Sequence, residues 1–210
     1  MLDPMSTADT PPTRWSTETT GERWTSYRER FSDLVASGAD LDGEARLIDA
    51  MLPRAASVLD AGCGTGRVTD ALRRRGHRVV GVDRDEGLVA AARQWYPESS
   101  YLVADLLSLT PQLLKAAGTP PPFDLIALPG NVLVYVAPGT ERRVLASLRA
   151  LLRPGGRIVA GFATDRDYRV ESLDADAVAL GLTVEHRFAT WDLVPWSAEA
   201  DWCVSVLRVD

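Results

Sequence analysis

The 210-residue chain has few of the residues on which several classes of protein depend. Its two cysteines, Cys63 and Cys203, are too few for a disulfide framework, and its two histidines are too few for a His-rich zinc site. Lys115 is the only lysine, so a reaction that needs a catalytic lysine has almost no place here. We therefore predict no metal site.

Basic charge and long apolar runs are also scarce. Lys and Arg number 23 against 29 Asp and Glu, which gives a net charge of -6. This balance disfavours a general nucleic-acid surface, because such a surface needs a positive field over the phosphates. The sequence has neither an apolar run long enough to cross a bilayer nor the apolar core of a signal peptide. We predict a cytoplasmic protein with no nucleic-acid or membrane partner.

The N-terminal quarter of the chain differs in pattern from the rest. Residues 1–20 are rich in Thr, Ser and Pro and are predicted to form a flexible tail. Apolar residues then recur at three- and four-residue steps from Glu22 to Val35, which predicts a helix, and a second short helix is predicted around Gly43 to Leu52. Residues 21–53 are interpreted as a helical N-terminal lid, and residues 54–210 as the main domain.

The main domain alternates predicted strands with predicted helices, a pattern typical of a parallel α/β sheet with right-handed crossovers. Only Trp191–Ala200 separates the last two predicted strands, Thr183–Thr190 and Asp201–Val209. Parallel neighbours need a longer connection, usually a helix, so these two strands are predicted to be antiparallel. The sequence therefore predicts a doubly wound, mostly parallel α/β sheet that ends in a reversed strand.

The strongest chemical pattern follows the first predicted strand of this domain, at Asp60-Ala61-Gly62-Cys63-Gly64-Thr65-Gly66. Three glycines at alternate positions let the backbone turn sharply and approach a ligand closely. The loop opens onto a helix N-terminus, whose free N–H groups favour a carboxylate or a phosphate. Asp60 is a poor neighbour for a pyrophosphate but a good one for an ammonium or a sulfonium group.

Two further carboxylates lie at the ends of the next two predicted strands. Asp83 comes roughly 20 residues after the glycines, where a carboxylate can accept both ribose hydroxyls of a nucleoside. Asp105 follows the third strand, where it can accept from the exocyclic amine of an adenine. Each residue alone could be a turn residue or a helix cap. Together with Asp60 they predict one crevice at the carboxyl ends of the strands, where open α/β sheets bind ligands.

In this order and spacing the motifs resemble the S-adenosylmethionine site of the class I methyltransferases. Asp60–Gly66 resembles the first motif of that family, Asp83 its ribose-binding acid and Asp105 its adenine-contacting acid. Phe123–Ile126 resembles its fourth strand and Leu152–Arg157 the approach to its fifth. The resemblance implies a seven-stranded sheet with an antiparallel last strand, S-adenosyl-L-methionine as cofactor and S-adenosyl-L-homocysteine as product.

The resemblance also implies which residues contact the cofactor. The carboxylate of its methionine part needs a donor, for which Arg46 on the preceding helix is the candidate, with Arg28 as the second choice. The other implied contacts are Asp60, Gly62, Cys63, Gly64, Gly66, Asp83, Arg84, Asp105, Leu106 and Leu128.

Displacement at a sulfonium methyl needs alignment and exclusion of water more than it needs a general base. Candidates for a catalytic group are Tyr135, Asp165 and Tyr168. Four tryptophans lie outside the strand–helix repeats, so we predict that the N-terminal helix covers the cofactor and that aromatic side chains line a largely apolar acceptor pocket. The predicted acceptor contacts are Trp15, Trp24, Tyr27, Asn131, Trp191 and Trp196.

Two alternative functions stay open. An NAD(P)-dependent oxidoreductase would need Gly-x-Gly-x-x-Gly, whereas here the third glycine comes one residue early and Arg67 holds the later position. A non-catalytic nucleoside-binding module could use the same fold. Leu128–Asn131 lacks the Asn/Asp-Pro-Pro-aromatic motif of methyltransferases that act on nucleic-acid amino groups. The primary prediction is methyl transfer to a small molecule by a monomer or homodimer.

Overall fold

The structure is a computed structural model that describes residues 10–209; the first nine residues of the predicted tail, and Asp210, lie outside this range. Its strands form one sheet in the order β3-β2-β1-β4-β5-β7-β6. The strands are β1 (Ser57–Ala61), β2 (Arg78–Asp83), β3 (Ser100–Val103), β4 (Phe123–Leu128), β5 (Leu152–Ala163), β6 (Leu182–Phe188) and β7 (Trp202–Val209).

The direction of the strands confirms the predicted fold class. β1 to β5 pair in parallel with their neighbours, whereas β7 lies antiparallel between β5 and β6. The connection before β7 returns along β6, where Phe188 bridges to Pro195. No crossover helix is present in this connection, which is why the last strand runs in reverse.

The helices of residues 10–209 include two that the sequence did not predict, α1 and α7, because neither is long enough to show a helical period. None of the helices in this range is long and apolar enough to span a bilayer. The helices are α1 (Arg14–Glu18), α2 (Glu22–Ala36), α3 (Gly43–Ala50), α4 (Arg67–Arg74), α5 (Glu86–Trp95), α6 (Pro111–Ala116), α7 (Val132–Tyr135), α8 (Glu141–Arg149) and α9 (Val170–Ala179).

Both faces of the sheet are buried. Along β1, Leu59 belongs to one apolar cluster and Val58 to another, and along β4 Ile126 and Leu125 alternate in the same way. Because successive side chains of a strand point to opposite faces, the two clusters lie on the two sides of the sheet. This burial fixes the strand ends, and with them the loops that follow.

Residues 10–20 are folded against the domain, so the prediction of a flexible tail was wrong for this described part. Thr13 caps α1 by accepting from the backbone N–H of Ser16. The Arg14 guanidinium donates to Glu141 Oε1 at 2.9 Å and to the carbonyl of Val134 at 3.2 Å. The polar composition that suggested a tail instead supplies the hydrogen bonds that hold this segment.

Candidate functional site

A cavity of about 610 Å³ opens at the carboxyl ends of the central strands. One side, the strand-end wall, is formed by Gly62, Gly64, Asp83 and Asp105. The other side, the N-terminal wall, is formed by residues of α1 and α2. The predicted site residues that line the cavity are Trp15, Tyr27, Gly62, Gly64, Asp83, Arg84, Asp105, Leu106, Asn131 and Tyr135.

Two positions of the glycine loop, Gly62 and Gly66, require glycine both for their backbone conformation and for close packing. Gly62 has φ +77°, and a Cβ there would lie 2.6 Å from the side chain of Val132. Gly66 has φ +84°, and its Cβ would lie 2.4 Å from the hydroxyl of Tyr101. Both residues thus combine a left-handed backbone with close packing. Gly62 also lines the cavity, but Gly66 lies behind it, so its role is to join the loop to α4.

Asp83 is held rigidly at the end of β2. Its Oδ2 accepts from the backbone N–H of Gly64 at 2.8 Å, and its Oδ1 accepts from that of Asp85 at 2.9 Å. Burial raises the pKa of this carboxyl to about 6, although these two N–H groups and the backbone N–H of Arg84 stabilise its ionised form. A carboxylate has about four lone-pair sites. Because Asp83 also lines the cavity, the carboxylate still has room to accept from a ligand there.

Asp105 both stabilises the local structure and lines the cavity. Its Oδ1 accepts from the backbone N–H of Leu107 at 2.8 Å, which caps a short 3-10 helix. Its Oδ2 accepts from Arg84 at 2.9 Å and from the hydroxyl of Thr10 at 3.1 Å. Arg84 also donates to the carbonyl of Pro11 at 2.9 Å. The side chain is thus a helix cap, an ion-pair partner and part of the cavity wall at once.

Asp60 is fully buried directly before the glycine loop. Its Oδ2 accepts from the hydroxyl of Thr69 at 2.6 Å, whereas its Oδ1 has no hydrogen-bond partner among the described residues. Burial raises the pKa of this carboxyl to about 6. An unsatisfied buried acceptor is costly. Asp60 does not line the cavity, so this unpaired oxygen lies behind the glycine loop.

Three aromatic rings pack together at the N-terminal side of the cavity. The Trp15 ring lies 4.9 Å from that of Tyr27 and 5.6 Å from that of Tyr135, both edge-on. The Tyr27 hydroxyl is 3.4 Å from where a Cβ on Gly64 would stand, so Tyr27 bridges the two walls. Burial raises the pKa of Tyr27 to about 12, which keeps its hydroxyl protonated at neutral pH.

Three arginines that were not among the predicted site residues also line the cavity. Arg23 and Arg30 come from α2, and Arg166 follows β5. Arg23 and Arg30 flank Tyr27 at i−4 and i+3, so all three lie on one face of the helix. Glu18 lines the same region, and its carbonyl accepts from Arg23 at 3.2 Å. This spacing along α2 was the sequence pattern that could have identified the two arginines.

The structure does not bring Arg46 to the cavity, so its assignment as the carboxylate donor was wrong. Its guanidinium lies 2.8 Å from Asp40, and its side chain is 54% exposed. The reason is helix phase, because α3 turns its apolar face into the core and leaves Arg46 outside. Arg28, the second choice, lies over the ring of Trp24 at 5.4 Å and does not line the cavity.

Three of the tryptophans predicted to contact the acceptor lie outside the cavity lining. Trp191 packs on β5, where its ring is 2.4 Å from the position of a Cβ on Gly161. Trp196 lies under the guanidinium of Arg187 at 5.4 Å. Trp24 packs behind the wall. The first two are displaced because their loop folds back onto β6 instead of extending over the crevice.

Of the predicted catalytic groups, only Tyr135 lines the cavity. The Tyr168 hydroxyl is buried and donates to Asp176 at 2.8 Å, which makes it part of the packing under α9. Asp165 has a side chain 79% exposed and lies 3.5 Å from Arg166. Both assignments were therefore wrong, because the turn after β5 directs one side chain into the core and the other into solvent.

Other predicted contacts have structural positions near the cavity. Cys63 and Leu128 are buried and lie behind the wall with Asp60. Asn131 lines the cavity in a left-handed conformation, φ +70°. Its side-chain carbonyl accepts from the backbone N–H of Ala163 at 2.8 Å, so it ties the start of α7 to the end of β5.

Comparison with known proteins agrees with this geometry. The profile of a family described as "Methyltransferase domain" matches residues 58–156. A TehB-like SAM-dependent methyltransferase of Corynebacterium glutamicum is 37% identical and superposes with a TM-score of 0.80, over 89% of this chain and 97% of that one.

Two further relatives match over a shorter length or at lower identity. Trans-aconitate 2-methyltransferase of Delftia acidovorans is 37% identical over 107 residues, which is 50% of this chain and 37% of that protein. The matched part spans about two fifths of the length of such curated relatives. The 1,6-didemethyltoxoflavin-N1-methyltransferase of Burkholderia thailandensis, solved with bound S-adenosylhomocysteine, shares the fold at 24% identity and a TM-score of 0.61, over 90% of each chain.

Proposed function

The chain belongs to the class I S-adenosylmethionine-dependent methyltransferases, and from that premise we propose that it methylates a small-molecule acceptor in the cavity described above. One observation carries this proposal. The glycine loop, Asp83 and Asp105 meet at a cavity whose opposite side is closed by aromatic and basic side chains of α1 and α2. Cofactor and acceptor would thus be enclosed together.

The strand-end wall offers a contact for each part of the cofactor. Asp83 would accept the ribose hydroxyls, and Asp105 with Leu106 would hold the adenine. Gly62 and Gly64 would lie against the methionine part. When bound, S-adenosylmethionine supplies a methyl group on a sulfonium that is already activated by its leaving group.

The chain's own contribution to catalysis is positioning and exclusion of water. One wall of the acceptor site would be formed by Trp15, Tyr27 and Tyr135. These rings would limit the approach of the acceptor to a single direction. Tyr27 keeps its proton because its pKa is raised, so it would orient groups by hydrogen bonding and would not act as a base. Tyr135 remains the candidate from the sequence for contact with the reacting group.

The charges at the cavity favour an anionic acceptor. Arg23, Arg30 and Arg166 line it, whereas the acidic lining residues Asp83 and Asp105 belong to the predicted nucleoside site. Glu18 is the remaining acid in the lining. Trans-aconitate, which appears in the names of two relatives, is a carboxylate of this kind. We therefore expect the acceptor to carry a carboxylate or a similar negative group.

The direct test is a calorimetric titration with S-adenosylhomocysteine, followed by a screen of acceptors by S-adenosylhomocysteine production. The screen pairs each carboxylic acid with its amide. We expect binding of the cofactor product and turnover of acids over amides. Binding of NADH or NADPH without binding of S-adenosylhomocysteine would instead support the oxidoreductase alternative.

The arginines of the cavity could bind either of two anions, the carboxylate of the cofactor or the acceptor, and a variant of Arg30 distinguishes these two roles. Arg30→Gln is expected to raise the KM of the acid acceptor and leave the Kd of S-adenosylhomocysteine unchanged. Arg54→Gln is the matched control, because Arg54 is exposed and lies outside the cavity lining. A loss of cofactor affinity in Arg30→Gln would assign this residue to the cofactor instead.

A further inference from the structure

One carboxylate oxygen of Asp85 accepts hydrogen bonds from side chains of both α1 and α2. Asp85 Oδ2 accepts from the indole N–H of Trp15 on α1 at 2.9 Å and from that of Trp24 on α2 at 2.8 Å. The other oxygen, Oδ1, accepts from the backbone N–H of Leu88 at 3.1 Å and thereby caps α5. The residue therefore joins three helices through a single side chain.

This contact matters most for α2, because α1 is also held by the hydrogen bonds of Arg14 to Glu141 and Val134. Neither α1 nor α2 contains a buried residue, so the apolar core contributes little to their position. Hydrogen bonds to a charged acceptor are stronger than those between neutral groups. The Trp24 ring also lies against α5, 2.7 Å from where a Cβ on Gly87 would stand. Asp85 is thus the main polar anchor for α2 on the domain.

The same loop carries the predicted ribose contact. Asp85 lies two residues after Asp83, and its backbone N–H donates to Asp83 Oδ1 at 2.9 Å. Between them, Arg84 donates to the carbonyl of Pro11 at 2.9 Å, at the start of the described N-terminal segment. Any shift of this loop on nucleoside binding is therefore transmitted directly to the residues that hold α1 and α2.

We propose that Asp85 is a positioning residue that holds α1 and α2 closed over the cavity and couples their closure to cofactor binding. The inference rests on the proposed function. Coupling of this kind is reciprocal. Cofactor binding should order the helices, and loss of the indole contacts should weaken cofactor binding.

The test uses variants that remove the hydrogen bonds and keep the packing. Trp15→Phe and Trp24→Phe each delete one indole donor but leave Asp85 free to cap α5. Asp85→Asn keeps an oxygen for Leu88 and turns an amide N–H₂ toward the two indoles. Trp202→Phe is the matched control, because the buried N–H of Trp202 has no hydrogen-bond partner among the described residues.

Two readouts need no acceptor, namely the Kd of S-adenosylhomocysteine and the amide hydrogen exchange of residues 14–36 in the free and bound protein. We expect Trp24→Phe to raise the Kd about tenfold, which corresponds to roughly 1.4 kcal/mol. In the wild-type protein, ligand should slow exchange in residues 14–36. In Asp85→Asn this ligand-dependent protection should be lost, while exchange in the β-sheet stays unchanged.

The inference is overturned if Trp15→Phe and Trp24→Phe match Trp202→Phe in both readouts. It is also overturned if Asp85→Asn retains the ligand-dependent protection of residues 14–36. A wild-type protein that does not bind S-adenosylhomocysteine at all would contradict the proposed function itself. The two failures are therefore distinguishable.

Discussion

The two walls of the cavity are held in place in different ways. The strand-end wall follows strands of the buried sheet, and every residue of β1 after Ser57 is buried. The N-terminal wall comes from helices that contain no buried residue and depend on a few hydrogen bonds, such as those to Asp85. The first wall is therefore fixed by the core, whereas we expect that the second can open without unfolding the domain.

The largest effect should come from removing the N-terminal wall as a whole. Deletion of residues 1–38 keeps Leu41, whose carbonyl accepts from Arg67 at 3.1 Å. Because the core does not depend on α1 or α2, we expect a folded protein with a cooperative thermal transition. Misplacement and exposure of the acceptor should lower kcat/KM at least about a hundredfold. A folded truncated protein with full turnover would show that the wall has no part in the reaction.

A single change in the strand-end wall should have the next largest effect. Asp83→Asn removes the charge that we propose accepts the ribose hydroxyls, and a hydrogen bond to a charged group contributes about 1.5–3 kcal/mol. The Kd of S-adenosylhomocysteine should therefore rise between about tenfold and a hundredfold. Calorimetry measures this directly, with Asp192→Asn on an exposed loop as the control. Unchanged affinity in the folded variant would refute the ribose assignment.

The same carboxyl should give cofactor binding a pH dependence. Burial raises the pKa of Asp83 in the free protein to about 6, and the ribose hydroxyls need its ionised form as an acceptor. Affinity should therefore be constant above this pH and fall as the pH decreases below it, by about tenfold per unit for one proton. Titrations between pH 5 and 8 would measure this slope, which Asp83→Asn should flatten. A slope unchanged in Asp83→Asn would assign it to another group, such as Asp60.

The two walls also differ in how far the sequence could predict them. The strand-end wall was predicted because Gly62, Asp83 and Asp105 lie at or just after the end of a strand, so local patterns place them at one edge. The N-terminal wall depends on pairs far apart in the chain, such as Trp24 and Asp85, which are 61 residues apart. A periodic pattern predicts that α2 exists, but it does not say which acceptor its indole will reach.

The errors in the site prediction have the same origin. Trp191 and Trp196 lie in a loop that starts near the cavity edge, and nothing in its sequence indicates that it turns back onto β6. Tyr168 and Asp165 share a turn whose direction is set by tertiary packing, with Tyr168 bonded to Asp176. Each prediction placed its loop correctly along the chain, but the side chains do not line the cavity.

The smallest expected effect concerns Arg46, the cation that sequence reasoning placed at the cofactor. It pairs with Asp40 on the surface, where both side chains are more than half exposed, and an exposed ion pair contributes little. Arg46→Ala should change the Kd of S-adenosylhomocysteine by less than about twofold, as is usual for surface substitutions. Calorimetry beside Arg54→Ala, a second exposed arginine, gives the baseline. A tenfold loss confined to Arg46→Ala would mean that α3 moves toward the cavity when ligand binds. The distinction between a fixed strand-end wall and a movable N-terminal wall would then have to include α3 on the movable side.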